Sequence, residues 1–267
     1  MYAFDLTRPA TIQEAVAALQ GDDAQPISGG QTLLPTMKAR LASAETLVSL
    51  TGVSEMRGIC TDDQGRICIG GATPHAQVAA EAMAYPALAG LAGRIGDPAV
   101  RSRGTIGGSL ANNDPSACYP AGALASGATI VATGPGGTRE IAADDYFQGM
   151  FTTALDEGEI VTEVKLPVPQ AAAYEKFLQP ASRFPLVAAF VARFADGVRV
   201  AITGASADGV FRWSEAEAAL SANFSAEALT DLALPDADSM ISDLHGTGAY
   251  RAHLTKVMTQ RAVKAAS

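Results

Sequence analysis

Two glycine-rich segments carry the residue types that could hold a phosphate group. The first runs from Ser28 to Leu33 and the second from Thr105 to Ser109. Glycine lets a ligand approach the backbone closely and permits a positive φ, and successive N–H groups in such a loop form a concave anion site. Two such segments in one chain favour one ligand held from two sides. The pyrophosphate of a dinucleotide is the natural candidate.

Neither segment matches the common nucleotide-binding motifs. No Gly-Lys-Ser/Thr sequence follows either glycine pair, so neither is a P-loop, and neither contains the Gly-x-Gly-x-x-Gly pattern of a Rossmann turn. Each pair alone is as consistent with an ordinary turn as with a ligand-binding loop. A dinucleotide hypothesis therefore requires a different fold that brings the two segments together.

Composition excludes several classes of function. The chain has 267 residues, 48% of them hydrophobic, which is enough for one large domain or two to three small ones. Its net charge of −9 comes from dispersed acidic residues and speaks against binding to nucleic acid. Because the chain shows no run of about 18 apolar residues and no signal peptide, we expect a cytoplasmic protein.

The cysteines and histidines are too few and too scattered to predict a metal centre. Cys60, Cys68 and Cys118 form no Cys-x-x-Cys pair, and the three histidines lie far apart in the sequence. An iron–sulfur cluster needs about four thiolates, so the chain cannot hold one of its own. We therefore expect no metal ligands in this chain.

Hydrophobic periodicity predicts an α+β protein. Thr11 and Glu14 have the spacing of a capping box at the start of the first helix, which ends near Gly21. Further helices are expected over residues 33–41, 75–81, 85–95, 121–127, 214–221, 226–232 and 247–265, and Pro98 is expected to break the pattern. Strands are expected over residues 25–27, 46–50, 56–60, 66–70, 129–133, 138–141, 158–166, 174–178, 186–194 and 198–203.

Changes in the pattern divide the chain into three parts. An α/β opening gives way to hairpins near Gly52, and the pattern changes again after residues 169–173. We therefore predict a first part over residues 1–52, a second over 53–172 and a C-terminal part over 173–267.

Longer motifs around the glycine segments resemble a known family. Residues 28–38 read Ser-Gly-Gly-Gln-Thr-Leu-Leu-Pro-Thr-Met-Lys, and residues 100–109 read Val-Arg-Ser-Arg-Gly-Thr-Ile-Gly-Gly-Ser. Matches at residues 158–161, 174–177 and 250–254 follow in order, so the resemblance spans essentially the whole chain. Together these motifs are similar to those of the FAD-binding medium subunits of molybdenum hydroxylases, of the carbon monoxide dehydrogenase and xanthine dehydrogenase type.

The resemblance implies a fold. It predicts a vanillyl-alcohol-oxidase/PCMH-like fold, in which residues 1–52 and 53–172 are two subdomains of one PCMH-type FAD-binding domain. Residues 173–267 are then expected to form a C-terminal domain, with a three-stranded antiparallel sheet and a helical bundle.

The resemblance also assigns residues to non-covalently bound FAD. The two glycine segments are expected to donate N–H and hydroxyl hydrogen bonds to the pyrophosphate, and Asn112, Ile160 and Lys176 to lie nearer the flavin. Ile160 is equally consistent with strand core, and Lys176 with an exposed strand residue. The complete expected set is Ser28, Gly29, Gly30, Gln31, Thr32, Leu33, Thr105, Ile106, Gly107, Gly108, Ser109, Asn112, Ile160 and Lys176.

The function implied by the resemblance is electron transfer. The chain is expected to take electrons from the [2Fe-2S] clusters of a small subunit in a heterotrimeric molybdenum hydroxylase and to pass them to NAD, a quinone, oxygen or another acceptor. A large subunit is expected to carry a molybdenum-pterin cofactor, and two heterotrimers to form a dimer. No catalytic acid–base pair is expected in this chain. A loose association with the inner membrane is left open.

Two alternatives come from other classes of protein. A non-redox scaffold subunit would keep the fold and lose FAD, and a stand-alone flavin oxidoreductase would need no partner subunits. Cys118 stands where many relatives carry Asp, which favours the scaffold weakly, whereas the two intact glycine segments favour FAD. Residues 179–186 vary within the family where access to the flavin differs, so the sequence leaves the acceptor open.

Overall fold

The computed structural model describes residues 1–266 and has an α+β architecture built on three main sheets. The strands are β1 (Asp5–Thr7), β2 (Ala24–Ile27), β3 (Thr46–Ser49), β4 (Ile59–Thr61), β5 (Ile67–Gly70), β6 (Thr129–Gly134), β7 (Gly137–Ala142), β8 (Phe147–Gly149), β9 (Thr152–Thr153), β10 (Ile160–Leu166), β11 (Ala171–Leu178), β12 (Pro185–Phe194), β13 (Gly197–Ser206) and β14 (Gly209–Arg212). The first sheet is parallel, in the order β1-β3-β2. The second is antiparallel, in the order β4-β5-β10-β6-β7, and the third is antiparallel, in the order β11-β12-β13-β14. Strands β8 and β9 pair separately.

The helices connect and cover these sheets. They are α1 (Ile12–Ala18), α2 (Leu33–Lys38), α3 (His75–Glu81), α4 (Pro86–Gly93), α5 (Pro98–Arg103), α6 (Ile106–Asn112), α7 (Tyr119–Ser126), α8 (Ala143–Tyr146), α9 (Ser214–Ala222) and α10 (Gly248–Ala266). Short 3-10 turns lie at Leu50–Gly52, Ser54–Met56, Ala226–Leu229 and Ala237–Ser239. Within residues 1–266, no helix has both the length and the apolarity needed to cross a membrane.

The predicted capping box begins α1. The Thr11 hydroxyl accepts a hydrogen bond from the Glu14 N–H at 3.1 Å, and the Glu14 carboxylate accepts one from the Ala10 N–H at 2.7 Å. The buried side of α1 packs Ala15 into the same cluster as Val48 of β3. Because β3 in turn pairs with β2, the end of β2 is held firmly where the chain enters the first glycine segment.

A fully buried helix joins the second and third sheets. Every residue of α7 is buried, and its side chains share one hydrophobic cluster with Ile130 of β6 and with Phe190 of β12. Half of the residues of this helix are alanine or glycine, so its backbone can lie close to both sheets. Helix α7 therefore fixes the position of the second sheet relative to the third, and residues of both sheets line one cavity.

The C-terminal sheet has four strands, and the prediction of three was wrong. A tight turn after Ser206, with Gly209 at φ +98°, leads into β14, which pairs with β13. This strand is only four residues long, so it carries too little periodicity to be recognised in the sequence. Strand β12 is buried on both faces: Phe190 faces the cluster of α7, whereas Val191 faces the cluster of α10.

Three local predictions also need correction. Pro98 does not break the pattern but opens α5, because its missing N–H is unneeded in a first turn, where Asp97 caps the helix by accepting from the Val100 N–H at 2.9 Å. The predicted helix over residues 226–232 is a single 3-10 turn, Ala226–Leu229. The strand expected over 56–60 begins only at Ile59.

Candidate functional site

A cavity of about 710 Å³ is lined by residues from all three main sheets. That volume lies within the range of about 300–1,000 Å³ that is typical of small-molecule and cofactor sites. Its walls come from the first loop (residues 28–33, which lead from β2 into the start of α2) and from most of the second loop (residues 104–109, which lead from α5 into the first turn of α6). The start of β10, Lys176 on β11 and part of the hairpin loop (residues 179–184, between β11 and β12) complete it.

The first loop leaves its backbone donors free. Within residues 1–266, the N–H groups of residues 29–32 donate to no protein acceptor, although all four residues line the cavity. Gly30 has φ +67°, a conformation that glycine adopts without steric cost. The carbonyl of Gly29, in contrast, is paired, since it accepts from the Gln31 side chain at 3.1 Å. A run of unpaired N–H groups in a cavity wall can bind an anion.

The second loop uses its backbone donors internally. Thr105 caps α6, and its hydroxyl accepts from the Gly108 N–H at 3.2 Å, while its carbonyl accepts from the Ser109 N–H at 3.0 Å. The Gly107 N–H donates to the Gly71 carbonyl at 2.9 Å. A Cβ on Gly107 would lie 2.6 Å from that same carbonyl oxygen, so glycine permits this close backbone packing. The second loop is therefore a rigid wall with few free donors.

The two loops contact each other directly. Gly29 packs so closely that a Cβ there would overlap the Arg103 carbonyl group. The Ser28 hydroxyl and the Thr105 hydroxyl are hydrogen-bonded at 2.8 Å. The loops thus form one continuous surface, as a ligand bound by both would require.

His75 supports the second loop from the protein side. The backbone N–H of His75 donates to the Gly104 carbonyl at 2.8 Å. A Cβ on Gly104 would lie 2.6 Å from the imidazole Nε2 of His75. The ring lies 5.3 Å from the ring of Tyr119, and Nδ1 is buried without a hydrogen-bond partner. Burial, helped by the charge of Arg101, lowers the pKa of His75 to about 4, so the ring is neutral at pH 7.

Lys176 is buried at the cavity and is not an exposed strand residue. It is 6% exposed; its ammonium donates to the Arg94 carbonyl at 2.9 Å and to the Cys118 sulfur at 3.5 Å. Burial lowers the pKa of Lys176, and the neighbouring Cys118 opposes that shift. Cys118 is itself a buried free thiol that lines the cavity. The Lys176 ammonium therefore lies beside Cys118, the position at which many relatives are expected to carry an aspartate.

Ile160 and Asn112 occupy different parts of the wall. Ile160, at the start of β10, is 2% exposed and belongs to the hydrophobic cluster of Val48. It also lines the cavity, so it is both a strand-core residue and a residue of the cavity wall. Asn112 ends α6 and is half-buried on the wall, and its side chain has no hydrogen bond within residues 1–266. The next residue, Asn113, turns into the protein and donates to the Gly149 and Thr152 carbonyls, both at 2.8 Å.

The structure brings nearly all of the expected site residues together. Only Ile106 does not line the cavity: its side chain is buried in the core and its N–H donates to the Thr73 carbonyl at 3.3 Å. The residues that do line it are Ser28, Gly29, Gly30, Gln31, Thr32, Leu33, Thr105, Gly107, Gly108, Ser109, Asn112, Ile160 and Lys176.

Sequence reasoning missed the residues of the hairpin loop. Arg183 and Phe184 line the cavity, Arg183 has φ +63°, and Phe184 is 46% exposed at the surface. The Gln179 side chain holds the loop by accepting from the Ser182 N–H at 2.6 Å. The family resemblance implies that this segment varies among relatives, but no residue pattern in it predicts a ligand contact.

The family of the chain follows from a comparison with known protein families. Residues 2–169 match the family described as the FAD binding domain in molybdopterin dehydrogenase. The chain belongs to this family. It is an FAD-binding medium subunit of the molybdenum hydroxylase class of oxidoreductases, and the predicted α+β FAD-binding fold is confirmed.

Similar curated proteins cover the whole chain. The carbon monoxide dehydrogenase medium chain of Afipia carboxidovorans is 34% identical, with 99% of this chain and 96% of the relative aligned. The glyceraldehyde dehydrogenase medium chain of Sulfolobus acidocaldarius is 30% identical, with 98% of this chain and 97% of the relative aligned. The similarity therefore includes the C-terminal part, beyond the residues matched by the family.

Solved structures show the same arrangement. A chain of reconstituted CO dehydrogenase from Oligotropha carboxidovorans superimposes with a TM-score of 0.89 at 33% identity, covering 99% of this chain and 98% of the other. A chain of quinoline 2-oxidoreductase from Pseudomonas putida 86 superimposes with a TM-score of 0.88 at 29% identity, covering 99% and 97%.

Proposed function

We propose that this chain holds FAD non-covalently in the cavity and passes electrons from [2Fe-2S] clusters of a small partner subunit to an external acceptor. When bound, FAD supplies the exchange of one or two electrons at a time. The chain supplies the binding, the orientation and the electrostatic environment. The observation that carries the proposal is the run of unpaired N–H groups at residues 29–32 in the wall of a cofactor-sized cavity.

The first loop fits the pyrophosphate of the cofactor. Hydrogen bonds to a charged group contribute about 1.5–3 kcal/mol each, so several free N–H groups suffice without a covalent bond. The hydroxyls of Ser28 and Thr32 lie in the same wall. The proposed binding set is the one expected from the sequence, with Ile106 acting by positioning the second loop from the core.

Lys176 fits a role at the flavin end of the cavity. Its ammonium is fixed by the Arg94 carbonyl and by the Cys118 sulfur, so its charge is held at one place in a poorly solvated environment. A fixed positive charge stabilises negative charge that develops nearby, by Coulomb attraction that burial strengthens. Lys176 would therefore favour a reduced, anionic cofactor.

The carboxylates of the cavity support a role without acid–base catalysis. Asp97 caps α5, and Asp114 accepts from the Ser116 N–H at 2.8 Å. Glu159 forms an ion pair with Arg139 at 2.7 Å, and that hydrogen bond lowers the pKa of Glu159. Each of these three carboxylates is thus engaged in a local structural contact.

The domains and partners belong to the same proposal. Each of the three predicted parts (residues 1–52, 53–172 and 173–267) corresponds to one main sheet, although the third sheet begins two residues earlier, at Ala171, and this supports dividing the chain near these positions. The relatives named as medium chains support assembly with a small [2Fe-2S] subunit and a large molybdenum-pterin subunit, which we propose form a dimer of heterotrimers in the cytoplasm. NAD and a quinone are the acceptors that we would test first.

The alternatives make different predictions about cofactor content. A scaffold that has lost FAD would have no need of a first loop with free donors, and a stand-alone flavin enzyme would not be expected to match medium chains over nearly its whole length. Both observations favour the electron-transfer subunit.

The test is a visible absorption spectrum of the chain purified with its co-expressed partner subunits, before and after acid precipitation. We expect flavin bands over an iron–sulfur background, and FAD released intact into the supernatant. Anaerobic addition of the electron donor of the complex should bleach the flavin bands, and NAD or a quinone should restore them. A folded complex without flavin that takes up no added FAD would refute the proposal and favour the scaffold.

A further inference from the structure

Three potential metal ligands meet on the second sheet, away from the cavity. The Cys60 sulfur, the Cys68 sulfur and a Glu163 carboxylate oxygen all lie within 4.8 Å of one another. They come from the neighbouring strands β4, β5 and β10, and none of the three residues lines the cavity. Cys60 is exposed, Cys68 is buried and Glu163 is half-buried, so the cluster opens to solvent on one side.

The register of the sheet explains why residues distant in sequence meet here. Cys60 lies directly opposite Cys68, and on the other side of β5, Glu163 lies opposite Gly70, two residues along from Cys68. Side chains two residues apart on a strand share one face of the sheet. The two thiols and the carboxylate therefore project from the same face, on three adjacent strands.

The register also distinguishes a metal site from a disulfide. Backbone hydrogen bonds join Gly70 to Gly58 and Asp62 to Arg66, both at 3.0 Å. Because bonded and non-bonded pairs alternate along an antiparallel ladder, the intervening pair Cys60–Cys68 is also a hydrogen-bonded pair. The Cα separation of such pairs, about 5.5 Å, is compatible with a disulfide, but their side chains are farther apart than at non-bonded positions, which disfavours the Cβ separation of about 3.8 Å in a disulfide. Two thiolates on one zinc ion need only approach to about 3.8 Å between sulfurs, as follows from a Zn–S length of about 2.3 Å.

The nearby cations have other partners. Lys165 lies 3.8 Å from Glu163 but forms a shorter ion pair with Glu140, at 2.6 Å. Arg66 pairs with Asp62 at 2.7 Å. The carboxylate of Glu163 is therefore the least firmly paired acid of this face and remains available to a metal ion.

We propose that Cys60, Cys68 and Glu163 bind a thiophilic divalent cation of the zinc class. Two sulfurs and one carboxylate oxygen match the ligand preference of zinc, and water would complete a tetrahedral site on the exposed side. Binding displaces the two thiol protons into solvent and requires no oxidant. The site is independent of the FAD cavity and would tie three strands of the second sheet together.

The test uses the full chain, reduced and free of metal, titrated with isotopically enriched cadmium as the probe. We expect one bound cadmium ion per chain, with an NMR shift that reports two thiolate ligands. Cys60→Ser and Cys68→Ser should each weaken binding by roughly a hundredfold, and Glu163→Gln by roughly tenfold, because the affinity is shared among the ligands. Cys118→Ser removes the remaining thiol and should leave the affinity unchanged.

Several results would overturn the proposal. Cadmium uptake that survives Cys60→Ser, or a shift that reports fewer than two thiolates, would exclude this ligand set. Loss of two thiols on mild oxidation without any cadmium uptake would identify a disulfide pair instead. If Cys68→Ser proves unstable because that residue is buried, the exposed Cys60 still decides the outcome.

Discussion

The two glycine loops have similar compositions but different roles. Residues 29–32 of the first loop keep their N–H groups free, whereas the corresponding groups of the second loop are bonded to Thr105, Gly71 and Thr73. The first loop follows a parallel strand and contacts the second loop through Ser28 and Gly29. The second is packed between His75 and the end of β5, where glycine allows backbone to touch backbone.

This difference shows that two similar glycine segments can use their backbone N–H groups in different ways. In the proposed function, the first loop presents these donors to the cofactor, and the second provides a rigid surface beside them. The Ser28–Thr105 hydrogen bond at 2.8 Å and the contact of Gly29 with Arg103 connect the two. Substitutions in the first loop should therefore reduce the affinity for FAD. Changes to the residues that hold the second loop in place should instead lower the free energy of unfolding.

The largest effect is expected for Gly29→Ala. The new Cβ would overlap the Arg103 carbonyl and force the loops apart, which should weaken FAD binding by more than about a hundredfold, or roughly 3 kcal/mol. Titration of the cofactor-free chain with FAD, followed by flavin fluorescence, measures this loss. Gly90→Ala is the matched control, because a Cβ at that helical position meets nothing within 4 Å. Equal affinities of the two variants would show that the loops need not touch.

Acid should destabilise the folded chain by protonating His75, which packs against the second loop. Its folded pKa is about 4, below the ordinary value of 6.5, so the unfolded state binds the proton more readily. This contribution to the free energy of unfolding is fully present above pH 6.5 and is lost as the pH falls towards 4, by roughly 3 kcal/mol. Urea unfolding across this range should show a steeper pH dependence for the wild type than for His75→Gln. The exposed His253→Gln should keep the wild-type slope; identical slopes in all three proteins would contradict this account of His75.

A smaller loss of stability is expected for Thr105→Val. The substitution keeps the shape but removes the hydroxyl that caps α6, which should lower the free energy of unfolding by about 1–2 kcal/mol. Urea denaturation of the cofactor-free chain measures it, with the exposed Thr51→Val as control. A change confined to FAD affinity would contradict a supporting role for the second loop.

The smallest effect is expected for Ser28→Ala. Losing one hydroxyl bond should weaken FAD binding by about 1 kcal/mol, or about fivefold, with little change in stability. A double-mutant cycle with Thr105→Val, read by FAD titration, should give a coupling free energy of about 0.5 kcal/mol or more, because the two hydroxyls are bonded to each other. Additive effects would show that this bond does not link the loops.

Local motifs made much of the site predictable, because the residues of each loop are contiguous in sequence. The sequence could not show which N–H groups stay free, since the acceptors Gly71 and Thr73 lie far from the second loop along the chain. For the same reason it could not show that Ile106 points into the core. The short strand β14 was missed because four residues carry little periodicity, and the meeting of Cys60 with Cys68 depends on strand register.

Amide hydrogen exchange with and without FAD tests the contrast between the loops most directly. Without FAD, the amides of residues 29–32 should exchange rapidly, because they have no protein acceptor, and those of residues 106–109 should already be protected. Adding FAD should protect the first loop strongly and change the second little. Amides of the first loop that are protected without FAD, or that stay unprotected when it is bound, would contradict the proposed role of this loop.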